Sequence, residues 1–208
     1  MAHWYFDFIS PFSYLQLARV RGWRERIDIE PVPIAFGAVL SQRGTVGPAE
    51  IPGKREFTYR FVQWQAERDG IALRFPPAHP FNPLAALRLC IAAATTWPAV
   101  EAIYAHIWRD GKPGTNAAEL ADVGRALGID DIEAAIGADA VKAQLRANTE
   151  SAIAAGVFGV PTLEVDGERF WGNDASAMID EWLVDRARFA SAEYRRIDSL
   201  PAGVQRRR

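Results

Sequence analysis

Strand-like patterning sits only at the two ends of this 208-residue chain, and the long middle follows the helical period. Near the N-terminus, His3 to Ile9 reads as a strand, and Pro11 to about Trp23 as a helix with Gly22 near its end as a stop signal. "IDIEPVPIAF" (27–36) alternates and is β-branched, so it reads as a second strand, and Pro31 and Pro33 place it near an edge or in a bulge. "GAVLSQRGTVGPAEIPG" (37–53) is rich in Gly and Pro and reads as a loop. Far downstream, "VPTLEVDGERFW" (160–171) places two apolar runs around Asp166-Gly167, a hairpin signal. "NDASAMIDEWL" (173–183) then starts a last helix with Met178, Ile179, Trp182 and Leu183 as its buried stripe.

Between these ends the apolar spacing is helical. Phe57, Phe61 and Trp64 fall at i, i+4 and i+7, which predicts an amphipathic helix over 54–69. A proline-rich connection (74–83) leads to Asn82-Pro83, a helix start, with Leu84, Leu87 and Ile91 on one face. Pro98 opens another helix with Val100, Ile103, Tyr104 and Ile107 inward. Asn116 with Glu119 resembles a capping box, and Asp130 with Glu133 repeats the pattern for a shorter helix. Asp139 to Ala155 is an alanine-rich helix ending at Gly156. The order β-α-β, helical block, β-β-α is that of an α/β, thioredoxin-like domain carrying a long all-helical insertion. The expected division is residues 1–53 with 157–190 as the thioredoxin-like domain, 54–156 as the insertion, and 191–208 as a C-terminal tail.

Composition narrows the functional classes. About half the residues are apolar, enough for a sizeable core. Lys and Arg number 24 against 26 Asp and Glu, so no global basic field attracts nucleic acid, and the terminal "QRRR" reads as a solvated tail. A lone cysteine, Cys90, on the buried face of a helix, reads as inert and fits a reducing compartment. No secretory signal and no long uncharged apolar run is present, so the expectation is a cytoplasmic protein without a membrane span. Three scattered histidines and one cysteine supply no metal-ligand spacing, so no metal is expected. His79, in the proline-rich connection, borders the site or is structural; His3 and His106 read as structural or exposed. Trp64, Trp97, Trp108 and Trp182 read as core.

Three short motifs carry the candidate chemistry. Ser10-Pro11-Phe12-Ser13 stands where the first strand meets the first helix. Ser10 suits a helix N-cap and Pro11 the first helical position, which explains the pair without any activity. The same helix start offers free N–H groups and partial positive charge, where a thiolate is stabilised, and thiol oxidoreductases carry C-x-x-C there. Both cysteines are absent here. Val160-Pro161 precedes the third strand, either as an ordinary trans start or as a cis turn that leaves the Val160 backbone free to bind an extended peptide. In "FWGND" (170–174), Asn173 or Asp174 serves as an N-cap, or the helix start and the Asp174 carboxylate receive a zwitterion such as a γ-glutamyl end.

"FDFISPFSYL" (6–15), "FGVPT" (158–162) and "WGND" (171–174) together resemble the 2-hydroxychromene-2-carboxylate isomerases of the DsbA-like, kappa-class glutathione transferase group. "IPGKREF" (51–57) and "HPFNPLAALRL" (79–89) are similar to further segments of that family, and the resemblance runs from about residue 3 to 185. It implies a thioredoxin-like domain with a helical insertion, glutathione as cofactor, and a homodimer. By motif, Ser10 matches the catalytic serine at the glutathione sulfur, Val160 the residue whose backbone pairs with the cysteinyl part, and Asn173 and Asp174 the residues around the γ-glutamyl end. Lys54 and Asn82 match weaker motifs near the substrate, set against a solvated lysine and a helix cap.

The expected activity is a glutathione-dependent cis–trans isomerisation of 2-hydroxychromene-2-carboxylate or a related aromatic keto-acid. A kappa-class-like transferase that conjugates electrophiles, or a non-catalytic glutathione- or peptide-binding protein of the same fold, are the alternatives. The expected partners are glutathione and a small aromatic substrate.

Overall fold

A computed structural model describes residues 1–204, and the terminal "QRRR" lies outside the described residues. Four strands form one mixed sheet in the order β2-β1-β3-β4. β1 (Ala2–Phe6) is paired in parallel with β2 (Ile29–Pro33) and antiparallel with β3 (Thr162–Val165), which forms a hairpin with β4 (Glu168–Trp171). Pro31 and Pro33 lie opposite Trp4 and Phe6 on the edge strand, where the missing N–H groups can face away from the sheet. Asp166 (φ 50°) and Gly167 (φ 86°) make the two-residue turn that a tight hairpin requires.

β1 is shorter than the sequence pattern suggests. It stops at Phe6 because the Asp7 carboxylate accepts the N–H of Ile9 (3.0 Å) and of Phe36 (2.8 Å), while the Asp7 carbonyl accepts the N–H of Ser10 (3.0 Å). These bonds curl residues 7–10 into a turn that delivers Ser10 to the start of α1 (Pro11–Trp23).

The alternation along β1 sorts its side chains to two cores. Trp4 and Phe6 join Leu17, Val20 and Trp23 of α1 and Ile179 and Trp182 of α9 (Ser176–Val184). That cluster runs on into the helical block through Leu87, Cys90, Ile103, Tyr104 and Trp108. Tyr5 turns to the other face, against Val39, Ala152, Val157 and Val160.

The segment 37–53 is not a plain loop. It contains α2 (Phe36–Gln42) and a 3₁₀ turn, Pro48–Glu50. Val39 is buried beside Tyr5, and Asp7 receives the first helical N–H, so partners distant in sequence stabilise a helix that its local composition disfavours.

The block contains α3 (Lys54–Arg68), α4 (Leu84–Ala92), α5 (Trp97–Tyr104), α6 (Ala121–Ala126), α7 (Ile132–Gly137) and α8 (Asp139–Ala154). α5 runs into a wider π-helical turn at Ala105–Arg109. Val100, Ile103, Tyr104 and Ile107 all face inward. Asn116 caps the N–H of Glu119, but the Glu119 carboxylate reaches Thr115 rather than Asn116, so the capping box is incomplete. Asp131, not Asp130, caps α7.

The largest departure is α3. Its buried residues are Thr58, Val62, Gln65 and Ala66, whereas Phe57 (67 % exposed) and Trp64 (51 %) face solvent. Trp64 is therefore not a core residue, while Trp108 and Trp182 are, and Trp97 is half-buried. Met178 likewise lies exposed on α9. Beyond Asp185, α10 (Arg186–Phe189) and α11 (Ala192–Asp198) bury no residue. Among the described residues no helix is long and apolar enough to cross a membrane.

Candidate functional site

Antiparallel pairing sets the C-terminal end of β1 beside the N-terminal end of β3, and this brings Ser10 to Val160. The Ser10 Oγ accepts the N–H of Ser13 (3.2 Å), which is the N-cap bond, and faces the Val160 carbonyl at 3.5 Å, the outer limit of a hydrogen bond. The hydroxyl proton is therefore only weakly committed within the chain. The Val160-Pro161 peptide is cis, and the Val160 N–H has no acceptor among the described residues. In "FGVPT", a Cβ on Gly159 would collide with the indole of Trp171, so the close approach of this loop to β4 requires glycine.

The Ser10 loop is held mostly from the helical block. Tyr104 Oη donates to the Asp7 carbonyl (3.0 Å), Trp108 Nε1 to the Phe8 carbonyl (2.7 Å), and His79 Nε2 to the Ile9 carbonyl (2.9 Å). His79 Nδ1 meets Tyr59 Oη at 2.8 Å. Burial pulls the His79 pKa down, and the Ile9 carbonyl opposes that shift. The Asp7 carboxyl is pushed up to about 7 by burial, against two backbone N–H bonds that favour its charge.

The "WGND" segment lies across a cleft of about 740 Å³ between α1, α3 and the start of α9. Gly172 adopts φ 88°, a conformation that glycine tolerates. Gln16 of α1 donates to its carbonyl (2.9 Å) while accepting from Trp4 Nε1 (2.8 Å). Gln65 of α3 bridges the next two residues: it accepts from Asn173 Nδ2 (3.2 Å) and donates to Asp174 Oδ1 (3.1 Å). Neither side chain caps a helix. Residues 173–175 form a 3₁₀ turn, and α9 begins only at Ser176, without a side-chain cap. The N-cap reading of Asn173 and Asp174 is thus corrected, because Gln65 holds both side chains away from the backbone. Ser176, 8 % exposed, also lines the cleft, and its buried Oγ has no partner among the described residues.

Ser10 with Val160, and Asn173 with Asp174, are therefore brought together in pairs. Lys54 and Asn82 are not joined to either pair by any hydrogen bond among the described residues. Lys54 is the exposed first residue of α3, and Gln65 stands eleven steps further along the helix, about 16 Å at 1.5 Å per step. Asn82 Oδ1 accepts the Leu84 N–H (3.1 Å) from one residue before Pro83, the N-cap of α4, so a local turn leading into the helix, and not a side-chain cap, accounts for it. Cys90 is fully buried and its thiol pKa is raised by burial. His106 is buried on the Pro113 carbonyl (2.9 Å), and half-exposed His3 lies 3.6 Å from Glu30. Asp7, Gln16, Gln65 and Ser176 escaped the sequence reading. The two glutamines gave no local signal, but Asp7 stands within the quoted "FDFISPFSYL".

Residues 3–184 match the model of the DSBA-like thioredoxin domain. A 2-hydroxychromene-2-carboxylate isomerase of Pseudomonas sp. (strain C18) is 33% identical over 190 residues, covering 85% of this chain and 86% of that protein. Glutathione S-transferase kappa 2 of Caenorhabditis elegans is 24% identical over 203 residues, covering 87% and 90%. A solved 2-hydroxychromene-2-carboxylate isomerase superposes with a TM-score of 0.75 at 26% identity, covering 92% of this chain and 98% of that one.

Proposed function

The chain belongs to the DSBA-like thioredoxin-domain family and, within it, to the 2-hydroxychromene-2-carboxylate isomerases, and on that premise we propose that it is a glutathione-dependent cis–trans isomerase of that compound or a related aromatic keto-acid. The observation that carries the reading is the Ser10 hydroxyl. It stands at the start of α1 where the fold places a thiol, it caps the helix, and its proton is held only by a 3.5 Å contact.

The groups around it fit glutathione. The Val160 N–H, without an acceptor among the described residues, and the adjacent carbonyl suit the cysteinyl backbone, and the Asp174 carboxylate suits an ammonium. The Ser176 hydroxyl, without a partner among the described residues, and the start of α9 suit a carboxylate. When bound, glutathione supplies a sulfur that adds to a conjugated C=C bond and leaves again, so that rotation occurs about a single bond. Ser10 donates its proton as a hydrogen bond to that sulfur, and the α1 N-terminus adds partial positive charge, so the thiolate is favoured. A cysteine at position 10 would instead trap glutathione as a mixed disulfide under oxidation, and serine removes that side reaction. The reading places the protein in the cytoplasm, where glutathione is kept reduced, and as a homodimer, whose mass light scattering would report.

Product analysis tests the proposal against the transferase reading that the kappa-class relative favours. With purified protein, glutathione and the chromene carboxylate, an isomerase returns glutathione unchanged at catalytic amounts. A stable conjugate that consumes glutathione mole for mole would make the protein a transferase. Binding without turnover of either kind would make it a non-catalytic binder.

A further inference from the structure

We infer that His79, seated on Tyr59 of α3, is a positioning residue that sets the orientation of Ser10; its catalytic consequence rests on the glutathione reading above.

The argument starts from the peptide that joins Ile9 to Ser10. Rotation of that peptide plane swings the Ser10 side chain. Its N–H is bound to the Asp7 carbonyl (3.0 Å), a main-chain contact within the turn itself. Its carbonyl is bound, among the described residues, only by His79 Nε2 (2.9 Å). Tyr104 and Trp108 hold the Asp7 and Phe8 carbonyls, two peptides and one peptide earlier, so they fix the approach of the loop but not its last plane. Among the described residues His79 is therefore the one side chain bonded to the serine's own peptide.

The imidazole is itself fixed. A carbonyl only accepts, so Nε2 carries a hydrogen. Tyr59 Oη lies 2.6 Å from the His79 carbonyl and 2.8 Å from Nδ1, and it has one proton to give. Donated to the carbonyl, that proton leaves Nδ1 to donate back to Oη; donated to Nδ1, it serves a neutral ring. Nε2 keeps its hydrogen in both arrangements, so the hold on Ile9 survives a change in charge. Phe75, Phe81 and Trp108 pack edge-on around the ring at 5.5–6.2 Å between centroids. His79 and Tyr59 belong to the helical block and Ser10 to the sheet's first turn, so the block reaches the reactive hydroxyl through one hydrogen bond.

His79→Leu removes the donor, whereas His79→Gln keeps an N–H at comparable reach. In the free protein, hydrogen exchange at the Ser10 amide is expected to quicken about tenfold or more in His79→Leu and to stay near the parent rate in His79→Gln. With glutathione bound, the pH at which its thiol ionises should rise in His79→Leu and recover in His79→Gln. Turnover should fall by about tenfold in His79→Leu with the KM for glutathione within about threefold, and in a Ser10→Ala background the same change should cost under about twofold. Unchanged Ser10 exchange in His79→Leu, or an equal loss with and without the Ser10 hydroxyl, would overturn the inference. If His79→Leu does not fold, Tyr59→Phe unseats the imidazole without emptying its place and is read by the same measurements. A parent protein without glutathione turnover would defeat the glutathione reading alone, since the amide-exchange arm needs no cofactor.

Discussion

Ser10 and Asp174 have different roles in the proposed reading and should fail differently when truncated. In the proposed reading Ser10 offers its hydroxyl to the glutathione sulfur and Asp174 its carboxylate to the γ-glutamyl ammonium. Ser10→Ala should cut turnover by roughly tenfold to a thousandfold, the range for losing one preorganised donor, with a smaller change in glutathione affinity. Asp174→Ala should weaken glutathione binding by about tenfold or more, the loss expected for a charge-assisted bond of about 1.5–3 kcal/mol. Calorimetry and initial rates separate the two, and the reverse pattern would exchange their roles. Asp174 caps no helix, but Asp174→Ala takes an acceptor from the buried Gln65 amide, so the melting temperature should fall by a few degrees and binding is compared where both proteins are folded. Asp7 makes a pH-dependent contribution. Its pKa is raised from about 3.9 in the unfolded chain to about 7 in the fold, so the native state holds the proton to higher pH. The stability this adds is complete below about pH 4 and is lost as pH climbs through about 7. Relative to Asp7→Asn, which does not titrate, the parent should lose a few kcal/mol between those limits, at about 1.4 kcal/mol per pKa unit. Urea denaturation of both proteins across that range would show it, and a constant gap would refute it.

At the scale of the element, α3 is the piece that ties the site together. Its inner side supplies Gln65 to Asn173 and Asp174, and Tyr59 to His79, while its outer side carries Phe57, Phe61 and Trp64 as a stacked aromatic row. Phe61 also meets Phe12 of α1, with 6.4 Å between ring centroids. The burial pattern reverses what hydrophobicity alone suggests, and it is measurable. Val62→Ala should destabilise the fold by about 2 kcal/mol, since it empties a fully buried position. Phe57→Ser, at an exposed position, should cost less than about 1 kcal/mol. Equal losses in chemical denaturation would mean that the aromatic row is buried within the chain. Gln65 is buried yet polar because both ends of its amide are satisfied, and this is why such a residue can sit on the inner face of a helix.

For the whole molecule, one apolar cluster runs from Trp4 and Phe6 of the sheet to Tyr104, Trp108 and Leu120 of the helical block. Elements that share a core should unfold together, so thermal unfolding followed by sheet and by tryptophan signals should give coincident transitions. Two separated transitions would show that the block and the sheet are independently stable. The sequence by itself determined the order of the main elements, because a two-residue and a 3.6-residue period are local properties that survive without tertiary contacts. It also determined the places of Ser10, Val160 and Asp174, since each lies in a contiguous motif at a strand or helix end. Tertiary structure alone decided which face of α3 is covered, because a periodic apolar stripe does not say what packs on it. It alone made a helix of 36–42, whose support comes from Asp7 and from the Tyr5 face of the sheet. It alone assigned His79 to Ile9, seventy residues away, and Gln65 to Asp174, 109 residues away. Hydrogen bonds of that span leave no mark on local composition: the chain must close before donor and acceptor meet.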